Sequence, residues 1–515
     1  MRRRLLGACI LLALAAGLAA SWVVRATPQI RDRVVDALNE RFASQVDLEW
    51  LDADIVPRPR VRGAGLTLRH NGRTDVPPLI TITSFDASAG VAGLTRTPVH
   101  LRTVALEGLQ IRVPVGGLRG GAPRDDTPHQ AHDERPSPIL IDTIESRSAT
   151  LEIASGRPGR LPRIFQIHDL VMHGFGERGG ARFEAGLTNP TPRGRIETTG
   201  VFGPWHADEP GLTQVSGEYT FKNADMNVIK GIGGTLASIG SYRGVLERVE
   251  VEGQTETPDF SIDISGNKVP LRTRFKAIVD GTNGDTFLER VEATLSESLI
   301  IASGSVVRTQ EVKGRHITLD VEMKGARLED LMRLAVKSAT PPIVGRVDLS
   351  TKFLLPAGQE DVVDRLQLDG AFQLAQARFS NVNVQRQITT LSRRGRGQES
   401  DEGADAERVV SNLRGRFTLE DGTLAFQELM FAVPGSVVQL SGSYHLRNET
   451  MNFVGYLLTD ATLADMTSGF KSLLARAAQP FFSRPGGGSR LPIRISGTRE
   501  KPQFGLDVKR VFSKG

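Results

Sequence analysis

The pair Ser468-x-x-Lys471 has the spacing with which a lysine draws the proton from a serine nucleophile in acyl-enzyme hydrolases. Such a site also needs a Lys-Thr-Gly or Ser-Asp-Asn element, and the chain contains neither. His129-x-x-His132, close to Asp125, Asp126, Asp133 and Glu134, offers donors suited to a metal ion. It stands in a stretch without apolar spacing, where solvated histidine and carboxylate are the ordinary state. His168 and His173 are five residues apart in a strand-like segment, so strict alternation turns them to opposite faces. Neither a Gly-x-x-x-x-Gly-Lys phosphate loop nor a Gly-x-Ser-x-Gly nucleophile elbow occurs. The single cysteine, Cys9, excludes an internal disulfide and a thiolate metal cluster. These residues predict no enzyme, no cofactor and no metal site.

The elements around them are mainly strands. From Val46 onward apolar residues recur with period two, as in Leu66-Thr67-Leu68, Leu109-Gln110-Ile111-Arg112-Val113 and Leu151-Glu152-Ile153. In the C-terminal three-fifths, strands repeatedly open on a glycine, as in Gly217-Glu218-Tyr219-Thr220-Phe221, Gly370-Ala371-Phe372-Gln373-Leu374, Gly415-Arg416-Phe417-Thr418-Leu419 and Gly442-Ser443-Tyr444-His445-Leu446. Glycine at such positions marks bends, so the pattern predicts a curved, repeating antiparallel sheet. The Gly-, Pro- and charge-rich stretches 114–138 and 393–407 are expected to be disordered loops.

Two segments carry helical spacing instead. Thr27-Pro28 is a helix start, followed by Ile30, Val34, Leu38 and Phe42 with Val35 alongside. That helix is read either as a lid or membrane-proximal cap over an apolar channel or as a helix packed on the first sheet. Leu463, Met466, Phe470, Leu473, Leu474 and Ala477 trace a second apolar stripe, before Pro480. It is read as touching a membrane or capping the sheet. The linker from Pro485 to Ser489 then leads to two short strands around Ile493 and Leu506.

The first residues set the compartment. Arg2, Arg3 and Arg4 precede an apolar stretch from Leu5 to Val24, and about twenty such residues span a hydrocarbon core. Leu5, Leu6, Ile10, Leu11, Leu12, Leu14, Leu18, Val23 and Val24 together favour insertion by roughly 3 to 5 kcal/mol, and Trp22 suits the far interface. The basic flank puts the N-terminus in the cytosol and exports the body. Ala13-Leu14-Ala15 leaves open a cleaved signal peptide, which exports the body equally. The lipoprotein-like Leu6-Gly7-Ala8-Cys9 has too short an apolar region before it. Elsewhere the composition is that of a soluble protein, 39% apolar and 24% charged. A net charge of +5 over 515 residues carries no nucleic-acid signal.

With export signal, helix and glycine-led strands in this order, the chain resembles the AsmA-like family of bacterial inner-membrane-anchored periplasmic proteins. The most specific stretch runs from Asn189-Pro190-Thr191-Pro192 through Gly200-Val201-Phe202-Gly203-Pro204-Trp205 to Gly217-x-Tyr219-x-Phe221. Thr257-Pro258-Asp259-Phe260, Asn283-Gly284-Asp285-Thr286, Phe431-x-Val433-Pro434-Gly435 and Pro492-Ile493-x-Ile495-x-Gly497-Thr498 are similar to further family blocks. The resemblance implies an elongated curved antiparallel sheet forming a hydrophobic groove, like that of bridge-like lipid transfer proteins. Tyr219, Phe221, Phe372, Leu374, Phe417, Leu419, Tyr444 and Leu446 are the expected groove residues. It also implies phospholipid transfer or lipid homeostasis between inner and outer membranes, with membrane phospholipids and an outer-membrane or periplasmic protein as partners. A non-enzymatic scaffold assisting outer-membrane protein assembly is the alternative. The expected organisation is an anchor at 1–26, a membrane-proximal helix and first strands at 27–113, and loops at 114–138 and 393–407. Groove strands are expected at 139–392 and 408–460, and a C-terminal helix with terminal strands at 461–515.

Overall fold

A computed structural model of the chain describes residues 31, 32, 35, 36, 38, 39, 44–54, 59–70, 74, 77–90, 93, 98–113, 137–153, 163–206, 209–309, 312, 314–338, 340–380, 382–397, 411–462 and 487–507. The expected anchor at 5–24, the stripe at 463–477, the pairs Ser468/Lys471 and His129/His132, nearly all of the expected loop at 114–138 and residues 398–407 of the second lie outside these residues. Among the described residues 69% are in strands and 9% are helical, so the chain is mainly β. No helix among them is long and apolar enough to cross a membrane.

In chain order the strands are β1 (Ser44–Asp47), β2 (Trp50–Asp54), β3 (Arg60–His70), β4 (Ile80–Ala89), β5 (Val99–Glu107), β6 (Gln110–Val113), β7 (Ile139–Ile153), β8 (Arg163–Phe175), β9 (Ala181–Pro190), β10 (Arg193–Phe202), β11 (Gln214–Asp225), β12 (Ile232–Gly233) and β13 (Thr235–Val245). They continue as β14 (Arg248–Ile262), β15 (Val269–Val279), β16 (Thr286–Leu295), β17 (Ser298–Arg308), β18 (Arg315–Arg327), β19 (Ile343–Leu355), β20 (Gln367–Phe379), β21 (Ser411–Glu420), β22 (Thr423–Val433), β23 (Ser436–His445), β24 (Thr450–Thr459), β25 (Ser489–Thr498) and β26 (Pro502–Leu506). Helices α1 (Leu328–Ala335), α2 (Val362–Arg365) and α3 (Val382–Gly395) interrupt the later strands. The chain divides into two compact units, the first comprising residues up to 224 with 237–253 and 278–285, the second 225–236, 254–277 and 286–515.

In the first unit, β3 pairs along one edge with both β1 and β2, and β4 likewise with β5 and β6. Both β5 and β6 then run parallel to β7, a departure from the all-antiparallel expectation. Residues 114–138 supply more than the dozen that a parallel crossover requires. Between β5 and β6, Gly108 has φ +63°, and a Cβ there would stand 2.2 Å from Thr83 Oγ1, so only glycine makes this corner. From β7 to β11 the strands form antiparallel pairs in sequence order. Val46, Leu51, Val61, Leu68, Ile139 and Ile144 centre the core. Val35 and Leu38 of the N-terminal helical residues pack against that cluster, Asn39 accepts from the Val46 amide at 2.8 Å, and Arg31 donates to the Leu48 carbonyl at 2.9 Å. The helix is therefore docked on the first strands, the second of its two sequence readings.

In the second unit, every consecutive pair from β16 to β26 is antiparallel. Connections therefore alternate between two margins. The margin at the end of β18 and the start of β19 carries α1, and it carries α3 between β20 and β21; the opposite margin carries α2 between β19 and β20. The helix α3 runs into the stretch expected as a loop from Arg393.

Candidate binding face

Register builds one continuous surface in the second unit. Across β20 to β25, the residues Leu368, Leu419, Leu424, Tyr444, Met451 and Gly497 stand side by side as the first of four rows. The next three rows are Gly370, Phe417, Phe426, Gly442, Phe453, Ile495; then Phe372, Gly415, Leu429, Leu440, Gly455, Ile493; then Leu374, Leu413, Phe431, Val438, Leu457, Leu491. The reverse face of the same strands carries Asp369, Thr418, Ala425, Ser443, Asn452 and Ser496. A register shift between Phe426 and Leu429 keeps both on the apolar face; without it a one-residue slip would turn the second half of β22 over.

The glycines let the rings lie down. A Cβ on Gly415 would stand 3.2 Å from Phe372 Cε1, and one on Gly442 would stand 2.9 Å from Phe453 Cδ1. Laid over glycine, the rings meet one another: Phe372 lies 6.3 Å from Phe426 edge to face, while Phe372 and Phe417 at 6.2 Å and Phe426 and Phe453 at 5.9 Å are tilted. Such pairs each add about 0.5–1.5 kcal/mol beyond the area that they bury.

Of the sequence-expected groove residues, Phe372, Leu374, Phe417, Leu419 and Tyr444 share this face. Leu446 lies just past β23 in the turn. Leu374, Leu419 and Phe417 are buried at 1%, 5% and 7% exposure, whereas Phe372 and Tyr444 are half-buried. Tyr219 and Phe221 belong to the first unit, two apart on β11 and therefore on one face. The tyrosines of this region meet hydroxyls. Tyr219 Oη lies 3.1 Å from Ser238 Oγ, and Tyr242 Oη lies 2.7 Å from Thr198 Oγ1. Thr198 spends its one hydrogen on the Glu218 carbonyl at 2.8 Å, so Tyr242 donates to it. Burial pushes the phenols of Tyr219, Tyr242 and Tyr444 above the ordinary tyrosine range.

Sequence reasoning missed Phe426 and Phe453 because neither follows a glycine by two, plain alternation in Leu424-Ala425-Phe426 being the available signal; it also missed Tyr242, although Gly240-Ser241-Tyr242 carries the same glycine-led spacing as Gly442-Ser443-Tyr444. It also missed the margin helices α1, α2 and α3. Leu328 and Leu331 of α1 pack on Met323, Val347 and Leu374, while Ile388 and Leu391 of α3 pack with Phe379, Phe431 and Val433. Both helices therefore cover the apolar rows at their own margin.

The sequence matches no family model and no curated protein. Polar clusters elsewhere are dispersed. His168 and His173 are both exposed, contrary to the alternation argument, because a register shift between Ile167 and Asp169 breaks the strict period. They engage separate threonines, Thr188 at 2.7 Å and Thr143 at 3.2 Å. No group of three or more metal-ligating side chains occurs among the described residues.

Proposed function

We propose that this chain is a non-enzymatic, inner-membrane-anchored protein whose apolar face carries phospholipid acyl chains through the periplasm. The observation behind this reading is that the rows do not end in a closed core. They continue from Ile495 and Ile493 onto Phe504 and Leu506 of β26, which are 60% and 55% exposed. A floor of hydrocarbon with a polar reverse face suits a chain of methylenes, each worth about 0.8 kcal/mol when buried. Transfer along such a floor forms and breaks no bond; it requires only an unbroken apolar path, with headgroups left in water. Leu5 to Val24 would hold the body at the donor membrane, and a partner at the outer membrane or in the periplasm would complete the route.

Site-specific photo-crosslinking tests the reading. A photoreactive residue at Phe372 or Phe426 in living cells is expected to yield phospholipid adducts, and the same residue at Asn452 on the reverse face is not. Protein adducts at the apolar positions without lipid would favour the assembly scaffold instead.

A further inference from the structure

Among the described residues, the margins of the second unit meet at residues 229–232 and 360–364. The turn between β14 and β15 belongs to the α1 margin, because Asn267 Nδ2 donates to the last carbonyls of that helix region, Arg333 at 3.0 Å and Val336 at 2.9 Å. Residues 229–232 belong with that turn, since the Asp263 amide donates to the Gly231 carbonyl at 3.1 Å. Yet the Lys230 carbonyl accepts from the amide of Val362 at 3.2 Å, and Val362 is the first residue of α2 on the opposite margin. The approach is close. Gly231 has φ +96°, and a Cβ there would stand 2.6 Å from Asp361 Oδ1 and 3.0 Å from the Val362 nitrogen. Asp361 caps α2 by accepting from the Val363 amide at 3.0 Å, and Val362 and Val363 are both buried at 7% exposure.

A second contact fixes α2 from the far side. Arg447, in the turn between β23 and β24, donates Nε and Nη2 to the two carboxylate oxygens of Asp364 at 2.7 and 2.6 Å. The same Nη2 lies 3.4 Å from Asp361 Oδ2. A bidentate guanidinium–carboxylate pair sets orientation as well as attraction. The helix α1 packs on the apolar residues Met323, Val347 and Leu374, and the junction is tied to its C-terminal end through Asn267.

We propose that residues 229–232 and 360–364 form a clasp joining the two margins over the apolar face, so that a bound lipid moves lengthwise beneath it and exits sideways only when it opens. This rests on the lipid-carrying reading and adds its control point. An open trough would exchange lipid with any passing membrane; a clasped one confines exchange to its ends.

Lys230 and Glu360 flank the junction and are both exposed, so cysteines there can be joined without entering the floor. The test uses the full chain with Cys9→Ser and Lys230→Cys/Glu360→Cys, closed by a short bismaleimide and loaded from vesicles of phosphatidylethanolamine and phosphatidylglycerol. Closing the link is expected to slow exchange of bound fluorescent lipid with acceptor vesicles at least tenfold. Arg447→Ala, which frees α2, is expected to speed it about threefold and to raise amide exchange at Val362 and Val363 while leaving β22 to β24 protected. Bound lipid that exchanges equally fast with the link open and closed overturns the clasp and leaves the groove reading standing. If neither form ever carries lipid, the groove reading falls and the clasp with it.

Discussion

The β10–β13 region of the first unit and the β20–β25 region of the second share one device and put it to different chemical ends. In both, an aromatic ring lies over a glycine of the neighbouring strand: Tyr219 Cε1 would stand 2.9 Å from a Cβ on Gly240, much as Phe453 covers Gly442. In the second unit the covering rings are phenylalanines that touch one another. In the first, Phe221 covers Gly194, but Tyr219 and Tyr242 cover Gly240 and Gly217 and their hydroxyls reach Ser238 and Thr198. A buried hydroxyl without a partner costs about 1–3 kcal/mol, so each tyrosine is tolerated only where a second hydroxyl was placed to meet it. Ring over glycine flattens the floor; the residue at the ring's far end decides whether that floor is hydrocarbon or polar.

Substitutions can break that contrast. Phe417→Ala removes a buried ring that touches Phe372, and should cost about 3–5 kcal/mol in chemical denaturation of the purified protein. Tyr219→Phe should cost about 0.5–1.5 kcal/mol, because the hydrogen bond between its phenol and Ser238 Oγ is lost. Tyr242→Phe should cost about 0.5–1.5 kcal/mol, since Thr198 keeps its bond to the Glu218 carbonyl. Tyr219→Phe and Tyr242→Phe proteins as stable as the wild type would show that the hydroxyl pairs are not what distinguishes the two regions.

Titration sharpens the comparison. The phenols of Tyr219, Tyr242 and Tyr444 ionise above their unfolded value in the folded chain, chiefly because burial disfavours the phenolate. Their neutral forms contribute stability that is present below the unfolded value near 10 and lost as pH rises through the folded values. Ultraviolet titration should therefore show these three phenols ionising late, together with alkaline unfolding. The clasp has the opposite sign. Hydrogen bonding from Arg447 holds the Asp364 carboxyl below the usual aspartate range. Its contribution is present above that range and lost as pH falls through the depressed value. Protection of the Val362 and Val363 amides, measured relative to their intrinsic exchange rates at each pH, should fall on acidification before that of β20 to β25.

The sequence made the strands readable because period two survives wherever one face is dry, and the glycine-led starts located Phe372, Phe417 and Tyr444 on one face. The parallel pairing of β5 and β6 with β7 was hidden, since pairing direction is set by the 114–138 connection rather than by any residue inside the strands. The helix α3 was hidden by its own composition: Val382, Val384, Ile388, Thr389 and Thr390 are β-branched and read as strand, while its Ile388–Leu391 contact with the sheet needs tertiary structure to be seen. The clasp was invisible for a simpler reason. Lys230, Val362 and Arg447 are far apart in the chain and carry no motif.

Native mass spectrometry of the full chain extracted from its own membranes tests the central claim most directly. The wild-type protein should carry phospholipid, and Phe417→Glu, which puts a charge into the middle of the rows, should lose most of it while Arg414→Glu on the reverse face does not. Lipid-free wild-type protein, or equal lipid on all three proteins, would contradict the apolar face as a lipid path.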